Sequence, residues 1–268
     1  MEAKIIRVTA PEGRIEADIN LPSSKSISNR LLIMNALSGN KIRIRNLSSS
    51  ADTMVLRDAL QPGKREINIG NAGTAMRFLT AYLAVTEGEY VLTGSERMCQ
   101  RPIGKLVQAL RQLGADIGYL ENEGFPPLTI RGKRLQKQEV EIDGSTSSQF
   151  ISALLMIAPV LPHGLTLKLT GKIISQPYIQ LTLRLMKMAG IESTYSGNLI
   201  RIDPQPYRET EITAEPDWSS ASYWYSIAAL SRECRITIHD LPEESLQGDS
   251  VIARYFTALG VKTDFRPQ

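Results

Sequence analysis

Cysteine and histidine are nearly missing from this 268-residue chain, with two of each: Cys99, Cys234, His163 and His239. Their spacing supports neither a disulfide framework nor a metal-ligand set, so no metal and no cofactor are expected. Aromatic residues are scarce at 6%, and the charges almost cancel, with 31 Lys and Arg against 28 Asp and Glu. The basic stripe with interleaved aromatics that marks a nucleic-acid binder is therefore absent, and no nucleic-acid partner is expected. No apolar run approaches the roughly 18 residues of a membrane span. The stretch Met1-Glu2-Ala3-Lys4 has no apolar core of a secretory signal, so the expectation is a cytoplasmic protein with no membrane partner. What is present, 42% apolar and 22% charged residues, suits an ordered globular chain long enough for two domains.

Small and hydroxyl-bearing residues gather where apolar helical patterns begin. Ser24-Lys25-Ser26-Ile27-Ser28-Asn29-Arg30 is one such start; Gly70-Asn71-Ala72-Gly73-Thr74-Ala75-Met76-Arg77 and Ser145-Thr146-Ser147-Ser148-Gln149 are two more. A helix start offers free N–H groups and the positive end of the helix dipole, so each can face an anion. Three cradles in one chain point to a substrate with more than one negative group, most simply a phosphate and a carboxylate.

These starts belong to a repeat. A polar start, an apolar helix and a β-branched strand recur with helices over 27–37, 75–85, 150–160 and 221–230, and strands over 41–45, 90–92, 165–169 and 235–238, with a Gly turn between helix and strand in the first three. A second helix follows each strand. Three of them close on similar phrases ending in Gly114, Gly190 and Gly260, residues suited to the left-handed C′ position. Hairpins with return strands over 128–131 and 199–202 follow the first two of these glycines. The period is about 70 residues, longer than that of common solenoids. A fourth unit reaches an expected strand over 262–265 and then stops, so the chain reads as cut inside a unit.

In order along the chain, Pro22-Ser23-Ser24-Lys25-Ser26, Gly70-Asn71-Ala72-Gly73-Thr74-Ala75-Met76-Arg77, Arg101-Pro102-Ile103-Gly104, Ser147-Ser148-Gln149-Phe150, Ser175-Gln176-Pro177-Tyr178 and Asp217-Trp218-Ser219-Ser220 resemble the 5-enolpyruvylshikimate-3-phosphate synthase family. The resemblance implies an α/β fold built of α+β repeats: a pseudo-threefold lobe of three βα units over 21–213, with 1–20 and 214–268 forming part of a second lobe. It implies transfer of the enolpyruvyl group of phosphoenolpyruvate to the 5-hydroxyl of shikimate 3-phosphate, a transferase step of the shikimate pathway in aromatic amino-acid biosynthesis. It further implies a monomeric full enzyme; for this chain, the uncovered apolar face of Ile252, Tyr255, Phe256 and Leu259 in the cut fourth unit leads to the expectation of self-association.

Residue by residue, the resemblance makes Lys25 catalytic and a contact to both substrates. Ser26, Arg30, Ser147, Ser148, Gln149, Ser175 and Tyr178 are the implied shikimate 3-phosphate contacts. Asn71, Gly73, Thr74, Arg101 and again Gln149 are the implied phosphoenolpyruvate contacts. Ser23, Phe78 and Gln176 stand where the family commonly has Gly, Pro and Lys. The family's general base and further cations would lie outside this sequence, leaving the chain alone inactive. Two alternatives stay open: a UDP-N-acetylglucosamine 1-carboxyvinyltransferase, disfavoured by Ser26 where that family has Asn, and a non-catalytic phosphate-binding fragment.

Overall fold

The computed structural model describes Arg7, Thr9 and residues 13–266. The stretch Met1-Glu2-Ala3-Lys4 lies outside them. In chain order the elements are β1 (Ile15–Ile19), α1 (Lys25–Leu37), β2 (Ile42–Arg45), α2 (Ala51–Ala59), β3 (Glu66–Asn68), α3 (Gly73–Val85) and β4 (Gly88–Thr93). Then come α4 (Glu96–Cys99), α5 (Gly104–Gln112), β5 (Asp116–Tyr119), β6 (Leu128–Gly132), β7 (Glu139–Asp143), α6 (Ser148–Ile157) and β8 (Leu165–Thr170). The chain continues through α7 (Gln176–Met188), β9 (Thr194–Ser196), β10 (Leu199–Ile202), β11 (Thr210–Thr213), α8 (Trp218–Leu230), β12 (Cys234–Ile238) and α9 (Ile252–Thr257). These group into two units, one of residues 23–215 with 246–248, the other of 1–22, 216–245 and 249–268.

The larger unit repeats one plan. β3 pairs parallel with β4, β4 antiparallel with β6, and β6 antiparallel with β5. β7, β8, β10 and β9 pair in the same order and senses. The third sheet has two strands, β11 parallel to β2, so a strand late in the chain stands where β3 and β7 stand in the other two. Between the parallel strands run α3 and α6, and α1 leads into β2. All three are buried almost all round, with Ile27 to Met34, Ala75 to Ala81 and Phe150 to Ile157 unbroken runs of buried residues. A helix apolar on every face belongs in an interior, and these three pack pairwise against one another. Phe78, Leu31 and Leu154 are fully buried there; each such side chain contributes roughly 1.5–3 kcal/mol. The outer helices α2, α5 and α7 bury one face only.

Helix ends follow their chemistry. Ser24, Ser50 and Ser147 cap α1, α2 and α6 through their hydroxyls. Gly114 and Gly190 leave α5 and α7 at φ 97° and 83°, the left-handed conformation expected of them. In α3 the cap is Ala72 without a side-chain bond, while Asn71 accepts a hydrogen bond from the Ser95 hydroxyl.

In the smaller unit β1 pairs parallel with β12, and Asp217 caps α8 by accepting from the Ser220 N–H. Its buried core is Trp218, Ala221 and Tyr225, with Phe256 edge-on to Tyr225 at 5.5 Å between ring centroids. The strand expected over 262–265 does not form: after α9 the backbone there pairs with no other described strand, and a strand without a ladder partner has no stability of its own. No helix among the described residues is long and apolar enough to cross a membrane.

Candidate active site

Every residue that the sequence singles out for binding lies in the larger unit, at or within two turns of a helix start. Lys25, Ser26 and Arg30 are on α1, Gly73 and Thr74 on α3, Ser148 and Gln149 on α6, and Tyr178 on α7. Ser147 and Ser175 occupy the N-cap positions of α6 and α7, and Arg101 lies in the turn before α5. The starts of α3 and α6 are joined directly, since the Gln149 side-chain amide donates to Thr74 Oγ1 at 3.1 Å. None of the helices α1, α3, α6 and α7 has an acidic residue in its first turn. Their dipole ends are thus left uncompensated, which favours an anionic ligand.

Arg30 gathers all four helices. Its Nη1 donates to the Ser26 carbonyl at 2.8 Å on α1, its Nη2 to Ser152 Oγ at 2.9 Å on α6, and its Nε to Thr182 Oγ1 at 2.8 Å on α7. The guanidinium carbon sits 5.5 Å from the Phe78 ring centre on α3 and 6.0 Å from that of Tyr178 on α7, within cation–π reach. The residue is 2% exposed. Burial draws its pKa down to about 10, with the nearby Tyr178 opposing the shift, so it remains a cation at neutral pH.

A second buried arginine is not among the residues that the sequence singles out for binding. Arg77, 6% exposed, donates from Nη1 to the Gly73 carbonyl at 2.9 Å and lies 6.0 Å over the Phe150 ring centre. Its Nε finds no acceptor among the described residues. Burial, and then the like charge of Arg101, lower its pKa to about 10. The two guanidiniums meet over Gly73: a β-carbon there would stand 2.4 Å from Arg101 Nη1 and 2.7 Å from Arg77 Nη1. Among the described residues neither arginine forms an ion pair, and nor does Arg30. The signal that could have revealed Arg77 is its spacing four residues after Gly73. Helical side chains lean towards the N-terminus, so an Arg at that spacing returns its charge to the helix start, as Arg30 does to Ser26.

Lys25 is half exposed at the first position of α1, with Nζ 3.2 Å from Asp52 Oδ2 on α2. Asn71 is exposed and engaged by Ser95. Ser175 makes no side-chain capping bond, so its hydroxyl is not committed to α7. Ser147 is committed, accepting from the Gln149 N–H at 3.3 Å. A cavity of about 240 Å³ lined by Gln138, His163, Thr166 and the 3.1 Å Arg201–Asp203 pair shares none of these residues. Among the described residues no group of His, Cys, Asp and Glu is placed to hold a metal ion.

A family model described as EPSP synthase (3-phosphoshikimate 1-carboxyvinyltransferase) matches residues 9–62 and 57–265. The chain belongs to the EPSP synthase family. A 3-phosphoshikimate 1-carboxyvinyltransferase of Bacteroides fragilis (strain YCH46) is 54% identical over 259 residues, covering 96% of this chain and 63% of that protein. One from Actinobacillus pleuropneumoniae serotype 3 (strain JL03) is 39% identical over 290 residues, covering 94% of this chain and 66% of that protein. The chain therefore spans about two thirds of the length of these EPSP synthase relatives. A solved EPSP synthase from Acinetobacter baumannii superposes with a TM-score of 0.73 at 19% identity, over 86% of this chain and 57% of that one, which bears out the expected α/β repeat fold.

Proposed function

We propose that this protein transfers the enolpyruvyl group of phosphoenolpyruvate to the 5-hydroxyl of shikimate 3-phosphate in the cytoplasm, and that the helix starts described above hold both substrates. The observation that carries the reading is the convergence of α1, α3, α6 and α7 on two buried guanidiniums that have no ion-pair partner among the described residues. Two uncompensated buried cations are costly in an empty protein and become favourable against a bound anion. On this reading Ser26, Ser147, Ser148, Ser175 and Tyr178 surround shikimate 3-phosphate, with Arg30 beneath them. Asn71, Gly73, Thr74 and Arg101 receive phosphoenolpyruvate, with Arg77 behind, and Gln149 reaches both.

In the reaction, the 5-oxygen bonds to C2 of phosphoenolpyruvate, its proton leaves to a base, and C3 gains a proton. The C2–O bond to phosphate then breaks, and loss of a C3 proton restores the double bond. The site's part is to orient the two anions and to offset the charge that develops on phosphate. Lys25, exposed at the rim, is the residue placed to hold or move a proton.

Titration calorimetry tests the reading with four ligands: shikimate 3-phosphate, shikimate, inorganic phosphate and UDP-N-acetylglucosamine. Binding of the first, at least about tenfold tighter than of shikimate or phosphate alone, is expected from the added charge-assisted bonds. Tighter binding of the UDP sugar would favour the sister transferase, and equal binding of phosphate would favour a phosphate-binding fragment.

A further inference from the structure

Chain positions 246–248 belong to the larger unit although the residues on either side of them belong to the other. They are firmly held there. The Leu246 N–H donates to Glu215 Oε1 at 3.0 Å and the Gln247 side-chain amide donates to Glu215 Oε2 at 3.1 Å, so both carboxylate oxygens are engaged. Gln247 is 6% exposed, and Leu246 packs against the main core. Gly248 lies so close to α7 that a β-carbon on it would stand 2.7 Å from Pro177 Cβ.

What these contacts hold is the site. The backbone carbonyl of Glu215 accepts the N–H of Ser24 at 2.8 Å, and Ser24 is the N-cap of α1, one residue before Lys25. Pro177 is in the first turn of α7, between Ser175 and Tyr178. One three-residue segment thus meets the start of α7 directly and reaches the start of α1, the helix that carries Arg30, through Glu215. We propose that Gln247 and Glu215 are positioning residues that clamp the first turns of α1 and α7 in the geometry that receives substrate. The proposal rests on the substrate reading above for its purpose, though not for its mechanics.

Three variants of the full chain test it by hydrogen exchange and calorimetry. Gln247→Glu sets a second carboxylate against Glu215 and removes the amide donor. The double variant Glu215→Gln with Gln247→Glu restores one amide, one carboxylate and an acceptor for the Leu246 N–H. Gly248→Ala presses on the rigid Pro177 ring without touching Glu215. In Gln247→Glu, exchange at the Ser28, Tyr178 and Ile179 amides should speed up by about tenfold while α3 and α6 stay within about twofold, and the double variant should return it. Affinity for shikimate 3-phosphate should fall by about tenfold and recover in the same pattern. Gly248→Ala should speed exchange at Tyr178 and Ile179 alone. Unchanged exchange in Gln247→Glu, or no recovery in the double variant, overturns the clamp, as does wild-type affinity in Gln247→Glu. Absence of binding by the wild-type chain, with the exchange pattern as expected, refutes the substrate reading and leaves the clamp standing.

Discussion

Replacing Gly73 by Ala puts a methyl group 2.4 Å from Arg101 Nη1, 2.9 Å from Arg101 Cζ and 2.7 Å from Arg77 Nη1. No carbon tolerates such distances, so both guanidiniums must give way. Arg77 is buried and bonded to the Gly73 carbonyl, whereas Arg101 is exposed and, among the described residues, free of ion pairs, so Arg77 shifts slightly and Arg101 moves furthest. The effect on stability should be small, because overpacking of about 1 kcal/mol is offset by the roughly 0.4–1 kcal/mol that Gly→Ala contributes through the unfolded chain. The effect on binding should be large. Losing one charge-assisted contact costs about 1.5–3 kcal/mol, which is roughly a ten- to hundredfold weaker affinity for the ligand that Arg101 grips. Calorimetric titration of phosphoenolpyruvate into protein saturated with shikimate 3-phosphate measures this, with shikimate 3-phosphate alone as the control. An equal loss for both ligands would refute the displacement of Arg101 and point instead to damage at the start of α3.

Arg30→Met should hold or raise stability by about 1–3 kcal/mol in urea unfolding while abolishing shikimate 3-phosphate binding, because Ser152 and Thr182 still bond each other at 2.8 Å and a desolvated charge is removed. The sign follows from a folded pKa of about 10, below the unfolded value: burying the charge costs stability throughout the range below pH 10, and that cost fades as pH climbs above it. The variant's advantage should therefore be full at pH 7 and shrink above pH 10; a loss of several kcal/mol at neutral pH would overturn it. Asp52→Asn should change stability by less than about 0.5 kcal/mol, since the Lys25–Asp52 pair is partly exposed, yet tighten anion binding two- to fivefold at low salt as Lys25 is released. Persistence of that gain in about 1 M salt would argue against a charge effect. Amides of α8 and α9 should exchange faster than those of α3 and α6, because only Trp218, Ala221 and Tyr225 form a buried core around them; equal protection would contradict this.

The inner helices were legible because their chemistry is local. A capping Ser, a run of apolar residues and a closing Gly announce α1 and α6 without reference to any partner. The strands β1, β3, β7 and β11, which enter each sheet, were not. Glu139-Val140-Glu141-Ile142-Asp143 does alternate polar and apolar residues, but over five positions and against the low strand preference of Glu and Asp that signal is weak, and the segment becomes β7 by pairing with β8. The site shows the same division. Its helix starts carried their own signal, whereas the burial of Arg30 and Arg77 depends on Phe78, Phe150, Ser152 and Thr182, which arrive from other helices. A charged residue in a helix is usually exposed, so sequence alone points the wrong way for both.

The pairing of β11 with β2 bears on synthesis as well as on architecture. The Asn46 amide at the end of β2 donates to the Ala214 carbonyl, 168 positions later in the chain. At roughly 5–20 residues per second, a ribosome delivers that partner on the order of ten to thirty seconds after β2 has emerged. Through that interval Ile42-Arg43-Ile44-Arg45 lacks the strand that completes its sheet, a segment rich in β-branched residues and open to pairing with a neighbour. Its two arginines act as gatekeepers while it waits, because like charges repel a second nascent copy. When β11 arrives it brings Glu211, which Arg45 meets at 2.6 Å and Arg43 at 3.3 Å. The charges that guard the nascent strand are thus the ones its late partner neutralises.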